Sequence, residues 1–170
     1  MADAIGNGGA VIVCYTDGSG TRAHLPCGAG VVIYDEDPAP YYTAEPIVEA
    51  SRPLGCGSNN HAELSAVRIA LWLTDQWPLK GRPLVIRSDS EYAITMCSRR
   101  GALDPERPNA RLVNIIRRAM LGRDVHIEYV PGHAGVPGNV RADKLAGLAR
   151  LRCKAALAEL QNAGASPERG

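Results

Sequence analysis

The chain has 170 residues and no phenylalanine, and aromatic residues make up 5% of it. A core must therefore rest on Ile, Val, Leu and Ala, with Trp72, Trp77 and a few Tyr supplying the larger volumes. The five cysteines (Cys14, Cys27, Cys56, Cys97 and Cys153) contain no Cys-x-x-Cys pair. A zinc cluster is not expected, and the odd count argues against a disulfide framework. At least three of them precede or sit within apolar runs and read as small buried residues. The opening MADAIGNGGA lacks a basic end followed by an apolar core, so no signal peptide is expected. No apolar run approaches the ~18 residues needed to span a membrane. These absences lead to the expectation of a soluble protein in a reducing compartment, with the cytoplasm and a monomer as defaults.

Charge of one sign is also lacking overall, since the formal net charge is +1. The distribution is less even. Residues 1–50 carry one Arg and seven acids, a local charge of −6. Residues 99–123 carry seven Arg (Arg99, Arg100, Arg107, Arg111, Arg117, Arg118 and Arg123) against Asp104 and Glu106, a local charge of +5. An Arg-rich segment suits phosphate contacts, and a solvated helix face explains it equally well.

A chain of this length favours one domain and can bury roughly 70% of its unfolded surface. Residues 9–17 (GAVIVCYTD) are apolar and β-branched and predict a buried strand. Residues 28–34 predict a second strand, and a third falls somewhere in 42–56, its limits blurred by Pro46 and Pro53. The pattern then changes to helical spacing over 60–77, closed by Pro78. A short strand over 83–88 and a helix over about 90–99 follow, then a loop over 101–108. A helix over about 109–122, a strand over 124–130, a Gly- and Pro-rich loop over 131–138 and a helix over about 139–161 complete the order βββ-α-β-α-α-β-α. Strands alternating with helices after residue 60 predict an α/β fold, a mixed sheet flanked by helices. One domain is expected over 1–170, with its core at about 10–150 and a frayed tail at 162–170.

Four acids stand at conspicuous places. Asp17 ends the first strand, Glu63 lies in the first turn of the first helix, Asp89 ends the fourth strand, and Asp143 lies near the start of the last helix. Strand ends and helix starts in a mixed sheet tend to gather at one edge. Carboxylates converging there would repel one another unless a divalent cation neutralised them, and hard oxygen ligands suit Mg²⁺ or Mn²⁺. Two ions about 4 Å apart can activate a water and stabilise the leaving oxygen of a phosphodiester. Each acid also has a plain explanation. Asp17 before Gly18 fits a turn, Glu63 fits a capping box with Asn60, Asp89 fits a helix cap, and Asp143 fits a helix N-terminus. The flanking sequences decide between these readings.

Those flanks resemble type 1 ribonuclease H. Tyr15-Thr16-Asp17-Gly18-Ser19 is similar to that family's opening motif, and Asn59-Asn60-His61-Ala62-Glu63-Leu64 to its Asn-Asn-x-x-Glu-Leu segment. Ser88-Asp89-Ser90-Glu91-Tyr92 resembles its Asp-Ser-x-Tyr segment. Val130-Pro131-Gly132-His133-Ala134-Gly135, followed by Asn139 to Ala146, resembles its His-loop and Ala-Asp-x-Leu-Ala ending. The motifs come in the family's order across about residues 10–150, and an ordered set is far more specific than a lone Asp-Gly-Ser. The resemblance implies the ribonuclease H-like fold, a five-stranded mixed sheet with its first three strands antiparallel. It implies cleavage of the RNA strand of an RNA–DNA hybrid, leaving a 5′-phosphate and a 3′-hydroxyl. Asp17, Glu63, Asp89 and Asp143 would hold two Mg²⁺ ions, with Mn²⁺ as a substitute and Asp17 shared between the ions. His133 would help move protons or release product, a role suited to a group that titrates near neutrality. Asn59 and Asn60 would reach base edges and sugars in the minor groove. Backbone groups near Asp17 to Gly20, those of Gly18 and Ser19 among them, and around Glu63 would meet ribose 2′-hydroxyls. Ser58 matches the place of a hydroxyl that grips a DNA-strand phosphate, or is only an N-cap like Asn60, and Ser90 belongs to the same substrate-binding set.

Three departures from the family pattern stand out. The basic, Trp-containing protrusion common in bacterial relatives has no room in residues 97–109, and the Arg99–Arg123 stretch is the available substitute. The Gly- and Pro-rich loop after the first strand reads here as Thr21-Arg22-Ala23-His24-Leu25-Pro26. Glu91 replaces a common Gln, and a carboxylate there cannot donate a hydrogen bond; Arg87 and Arg100 are the cations placed to offset it. The rival readings are another ribonuclease H-superfamily nuclease or a catalytically silent hybrid-binding module. Silence shows as lost carboxylates, and here all four stand with His133.

Overall fold

In a computed structural model of the protein, residues 10–38, 44–76, 78–99 and 101–164 are described. Trp77 and Arg100 lie outside them, as does the tail from 165. The strands are β1 (Ile12–Ser19), β2 (Pro26–Tyr34), β3 (Val48–Cys56), β4 (Leu84–Ser88) and β5 (Val125–Tyr129), and the helices are α1 (Asn59–Thr74), α2 (Glu91–Ser98), α3 (Ala110–Met120) and α4 (Pro137–Gly164). The order matches the expected βββ-α-β-α-α-β-α. The five strands lie in the order β3-β2-β1-β4-β5. β1, β2 and β3 form an antiparallel meander, while β4 runs parallel to both β1 and β5. The parallel pairs need crossovers, and the α1 and α2–α3 segments supply them.

Both faces of β1 and β2 are covered, which is why these strands read as nearly continuous apolar runs. Ile12 and Cys14 of β1 point toward α1, α2 and α3, where they meet Val31, Ile33, Leu64, Val67, Leu71, Ile86, Val113 and Ile116. Val13 and Tyr15 point the other way and pack with Val32, Tyr34 and Ala142 beneath α4. Glycine makes the second layer possible. A Cβ on Gly30 would lie 2.0 Å from the Ala142 carbonyl oxygen, and one on Gly28 would lie 2.5 Å from Ala149 Cβ. The backbone of α4 thus rests directly on β2.

Four expectations need correction. Trp72 is 59% exposed and does not fill the core; Leu64, Leu71, Ile12 and Ile86 do. The last helix starts two residues early, because Pro137 takes the first helical position, where its missing N–H costs nothing, and it continues to Gly164 rather than fraying from 162. Two arginines of the segment read as either a phosphate-contacting or a solvated face are engaged within the fold. Arg117 donates to the Met96 and Gly101 carbonyls at the end of α2, and Arg123 donates to Leu71 O and Thr74 Oγ1 at the end of α1. Helix C-termini leave carbonyls unpaired, and a guanidinium is well shaped to meet them. Arg87, the cation placed to offset Glu91, instead holds Asp37 through two hydrogen bonds and donates to Tyr15 Oη. Four of the cysteines are buried, Cys56 is exposed, and all five are free.

Candidate active site

Asp17 is the sixth residue of β1 and follows Val13 and Tyr15 on the face covered by α4. Its cross-strand partner is Gly30, the residue on which α4 rests, so Asp143 one helical turn beyond Asn139 is carried to the same place. Gly18 points to the opposite face, where a Cβ would sit 2.2 Å from the Glu63 amide nitrogen. The end of β1 is thereby gripped between the start of α1 and the first turns of α4. Asp89 follows β4, the parallel neighbour of β1, and joins them at the same sheet edge.

None of the plain explanations for Asp17, Glu63 and Asp89 survives this placement. Asp17 is within the strand, which runs on to Ser19, and is not a turn residue. Ser58 caps α1 by accepting from the His61 N–H at 3.2 Å, and Glu63 sits beyond the first turn, which contains no acid. Ser90, not Asp89, caps α2, accepting from Ala93 N at 3.1 Å.

Carboxylate oxygens of Asp17, Glu63 and Asp89 lie within 4.8 Å of one another. Asp143 is exposed at the rim and lines the same pocket of about 500 Å³, together with Gly18, Asn59, His133, Gly135, Asn139 and Val140. The arrangement is costly for negative charge. Burial, followed by repulsion from Asp89 and Asp143, pushes the Asp17 carboxyl up to about 7. Burial, followed by repulsion from Asp17 and Asp89, pushes Glu63 up to about 9, even though the Gly18 amide and the Asn59 side chain favour its charged form. Glu63 Oε2 is buried without a hydrogen-bond partner. An acceptor-only set of crowded carboxylates with an orphaned oxygen fits a hard divalent cation, which would relieve the repulsion and take the free lone pairs.

The neighbouring candidates divide into groups. Asn59 is exposed, yet its side chain bridges the two walls of the site, accepting from Gly20 N at 3.0 Å and donating to Glu63 Oε1 at 3.3 Å. Ser58 forms an isolated bridge to Thr21, so the loop after β1 is tied to the start of α1. Asn60 is exposed on the same turn, and Ser19 closes β1. His133 is exposed with φ 57° on a loop that lies against Asp89: a Cβ on Gly132 would fall 2.7 Å from Asp89 Oδ2. His126 is also exposed, and its Nε2 lies 3.1 Å from Asp124 Oδ1, away from the pocket. Glu91 opens α2, where a negative charge suits the helix N-terminus. Sequence reasoning missed Asn139, a buried pocket residue whose Nδ2 donates to Asp89 Oδ2 at 3.3 Å. Its position four residues before Asp143, hence on the same helix face, was the available signal.

Comparison with known proteins agrees with this geometry. The model of the RNase H family matches residues 9–150. A ribonuclease H of Schizosaccharomyces pombe is 34% identical over 147 residues, covering 79% of this chain and 51% of that protein. The chain therefore spans about half the length of this curated relative. LC11-RNase H1, isolated from compost by a metagenomic approach, superposes with a TM-score of 0.66 at 28% identity, covering 83% of this chain and 96% of its own. The same relative has been solved in complex with an RNA/DNA hybrid. RNase H1 of the halophilic archaeon Halobacterium salinarum NRC-1 superposes with a TM-score of 0.65 at 26% identity, covering 82% of this chain and 97% of that one. With the family model spanning most of its length and the carboxylates of the family's motifs gathered at one sheet edge, the chain belongs to the ribonuclease H family.

Proposed function

We propose that this chain is a single ribonuclease H domain that hydrolyses the RNA strand of RNA–DNA hybrids with two divalent cations, leaving 5′-phosphate and 3′-hydroxyl ends. One observation carries the reading: three carboxylates from two strand ends and a helix converge within 4.8 Å, and one of their buried oxygens has no partner. A dedicated structural site would not assemble so much uncompensated charge. Asp17, Glu63, Asp89 and Asp143 hold Mg²⁺, or Mn²⁺ in its place. The cations supply Lewis acidity at the scissile phosphate and a nucleophile usable at neutral pH. The backbone at Gly18 and Ser19 reads ribose hydroxyls. Ser58 and Ser90 offer hydroxyls, and Asn59 and Asn60 amides, to the hybrid's backbone and minor groove. His133, on its exposed loop, moves a proton at the leaving oxygen or assists product departure. The solved complex of LC11-RNase H1 with an RNA/DNA hybrid supports this substrate class. The protein acts as a monomer in the cytoplasm; no helix of the described residues is long and apolar enough to cross a membrane.

The test is cleavage of an end-labelled RNA–DNA hybrid with Mg²⁺, beside single-stranded RNA, duplex RNA and duplex DNA. The expected result is cleavage of only the hybrid's RNA strand, abolished by EDTA and by Asp17→Asn. A hybrid that is bound but stays intact with both Mg²⁺ and Mn²⁺ would overturn the catalytic reading in favour of a silent binding module.

A further inference from the structure

Asn139 is 4% exposed, lines the carboxylate pocket and stands in the first turn of α4, four residues before Asp143 on the same helix face. Its two amide atoms do different things. Nδ2 donates to Asp89 Oδ2 at 3.3 Å, and Oδ1 is buried with no partner. The orientation follows from the chemistry, because an ionised carboxylate only accepts and a flipped amide would set oxygen against oxygen. Two of the three buried side-chain atoms without a partner among the described residues, Asn139 Oδ1 and Glu63 Oε2, are in residues lining this one pocket. A buried unsatisfied oxygen costs about 1–3 kcal/mol unless a donor reaches it. Chance placement of both orphans in residues around the carboxylates is a poor explanation.

We propose that Asn139 is a positioning residue: it fixes the rotamer of Asp89 through Nδ2 and presents Oδ1 to the hydration shell of a cation held by the carboxylates. Asp89 needs such a partner. It is half-buried, it is repelled by Asp17 and Glu63, and it sits beyond the strand end. Gly132 closes on Oδ2 from one side, where a methyl group would collide at 2.7 Å, while Asn139 holds the same oxygen from the helix. A neutral amide does this without adding a fourth charge to the crowded interior. An asparagine donates to the carboxylate with one atom, and its other atom would be free to accept from a water on a bound cation. Aspartate would repel Asp89, and alanine would do neither.

This inference rests on the proposed metal-dependent function, and calorimetry on the metal-free protein separates the two. Mg²⁺ and Mn²⁺ are titrated into wild type, Asn139→Ala and Asn139→Asp, with melting temperatures recorded for all three. Outer-sphere partners of metal ligands are worth about 10- to 100-fold in affinity or activity. Asn139→Ala is expected to weaken Mg²⁺ binding by about that factor. Its kcat should fall at low Mg²⁺ and recover as Mg²⁺ is raised, with KM for the hybrid unchanged. Asn139→Asp should weaken turnover at every Mg²⁺ concentration because it repels Asp89. Unchanged metal affinity in both variants, or a fall in melting temperature with no change in Mg²⁺ dependence, would overturn the inference. Failure of the wild type itself to bind either cation would overturn the metal-dependent reading beneath it.

Discussion

Two hollows in this protein invite comparison. The larger, of about 680 Å³, is a trough between α1 and α3 lined by Ile69, Leu71, Trp72, Ile115, Ala119 and Leu121, with Arg68, Asp75 and Arg123 at its margin. The smaller, of about 500 Å³, is the carboxylate pocket. Size favours the first and chemistry the second. The trough exposes Trp72, Ile115 and Leu121 to solvent, which costs the fold little, since folded proteins carry much apolar surface. The pocket buries acids, raises their pKa values and leaves polar atoms unpaired, all of which destabilise the fold. A structure tolerates such terms where function requires them, so the energetically worse hollow is the better candidate for the active site.

The largest expected effect breaks the comparison at the pocket. Asp17→Asn and Glu63→Gln should each lower hybrid cleavage by at least about a thousand-fold, equivalent to about 4 kcal/mol of barrier. The same substitutions should stabilise the metal-free protein, because they remove the charge that the fold disfavours. The sign follows from linkage. Both carboxyls have folded values (about 7 and about 9) above their ordinary values near 4, so the native state retains protons that the unfolded chain has released. Their contribution to stability is fully present below about pH 4 and is lost as pH rises through 7 and then 9. In EDTA the melting temperature should therefore fall across that window, and Glu63→Gln should flatten the fall by about 1–3 kcal/mol. Saturating Mg²⁺ should flatten it in the wild type, with protons released on binding. Melting curves at several pH values, with EDTA and with Mg²⁺, check all three statements. A pH-independent melt of the EDTA-treated wild type would contradict the strained-pocket picture.

Much of the pocket was legible in the sequence because periodicity gave the order of strands and helices and so put the acids at strand ends and helix starts. The local turn and cap signals would have explained Asp17, Glu63 and Asp89 away, and it was the resemblance of their flanking motifs to ribonuclease H that singled them out. What was not legible depended on the third dimension. Asn139 was read as the opening residue of the last helix, and nothing local says that its side chain turns inward to Asp89, 50 residues away in sequence. The roles of Arg117 and Arg123 were hidden for a similar reason. Their partners lie 21 and 52 residues away in sequence at Met96 and Leu71, and only packing of α3 against the earlier helices brings them together. Trp72 misled because helical spacing identifies a face without saying whether anything covers it.

The arginines sharpen the comparison with a smaller effect. Arg123 lines the trough but ties down the last turn of α1, so Arg123→Ala should cost about 1–3 kcal/mol of stability. For a chain of this size that is roughly 3–10 °C in melting temperature. The salt dependence of hybrid binding should not change. Arg118 is exposed on α3, and Arg118→Ala should leave the melting temperature unaltered. If its guanidinium meets a phosphate, the slope of log affinity against log salt should fall by about one. Equal salt slopes in wild type and Arg118→Ala would remove this residue from the hybrid interface.

The smallest expected effect tests whether the trough matters at all. Trp72 is 59% exposed on α1, nine residues past Glu63 and outside the carboxylate pocket. Trp72→Ala removes partial packing against the trough wall and should change stability by less than about 1 kcal/mol, because no fully buried volume is lost. Alanine's higher helix propensity offsets part of even that loss, by a few tenths of a kcal/mol. Cleavage of the hybrid should be unaltered in both kcat and KM, with the melting temperature within about 3 °C of wild type. A marked loss of cleavage in a protein that still melts normally would tie the trough to the hybrid. Chemistry and apolar surface would then be two parts of one interface, and the contrast between the hollows would fail.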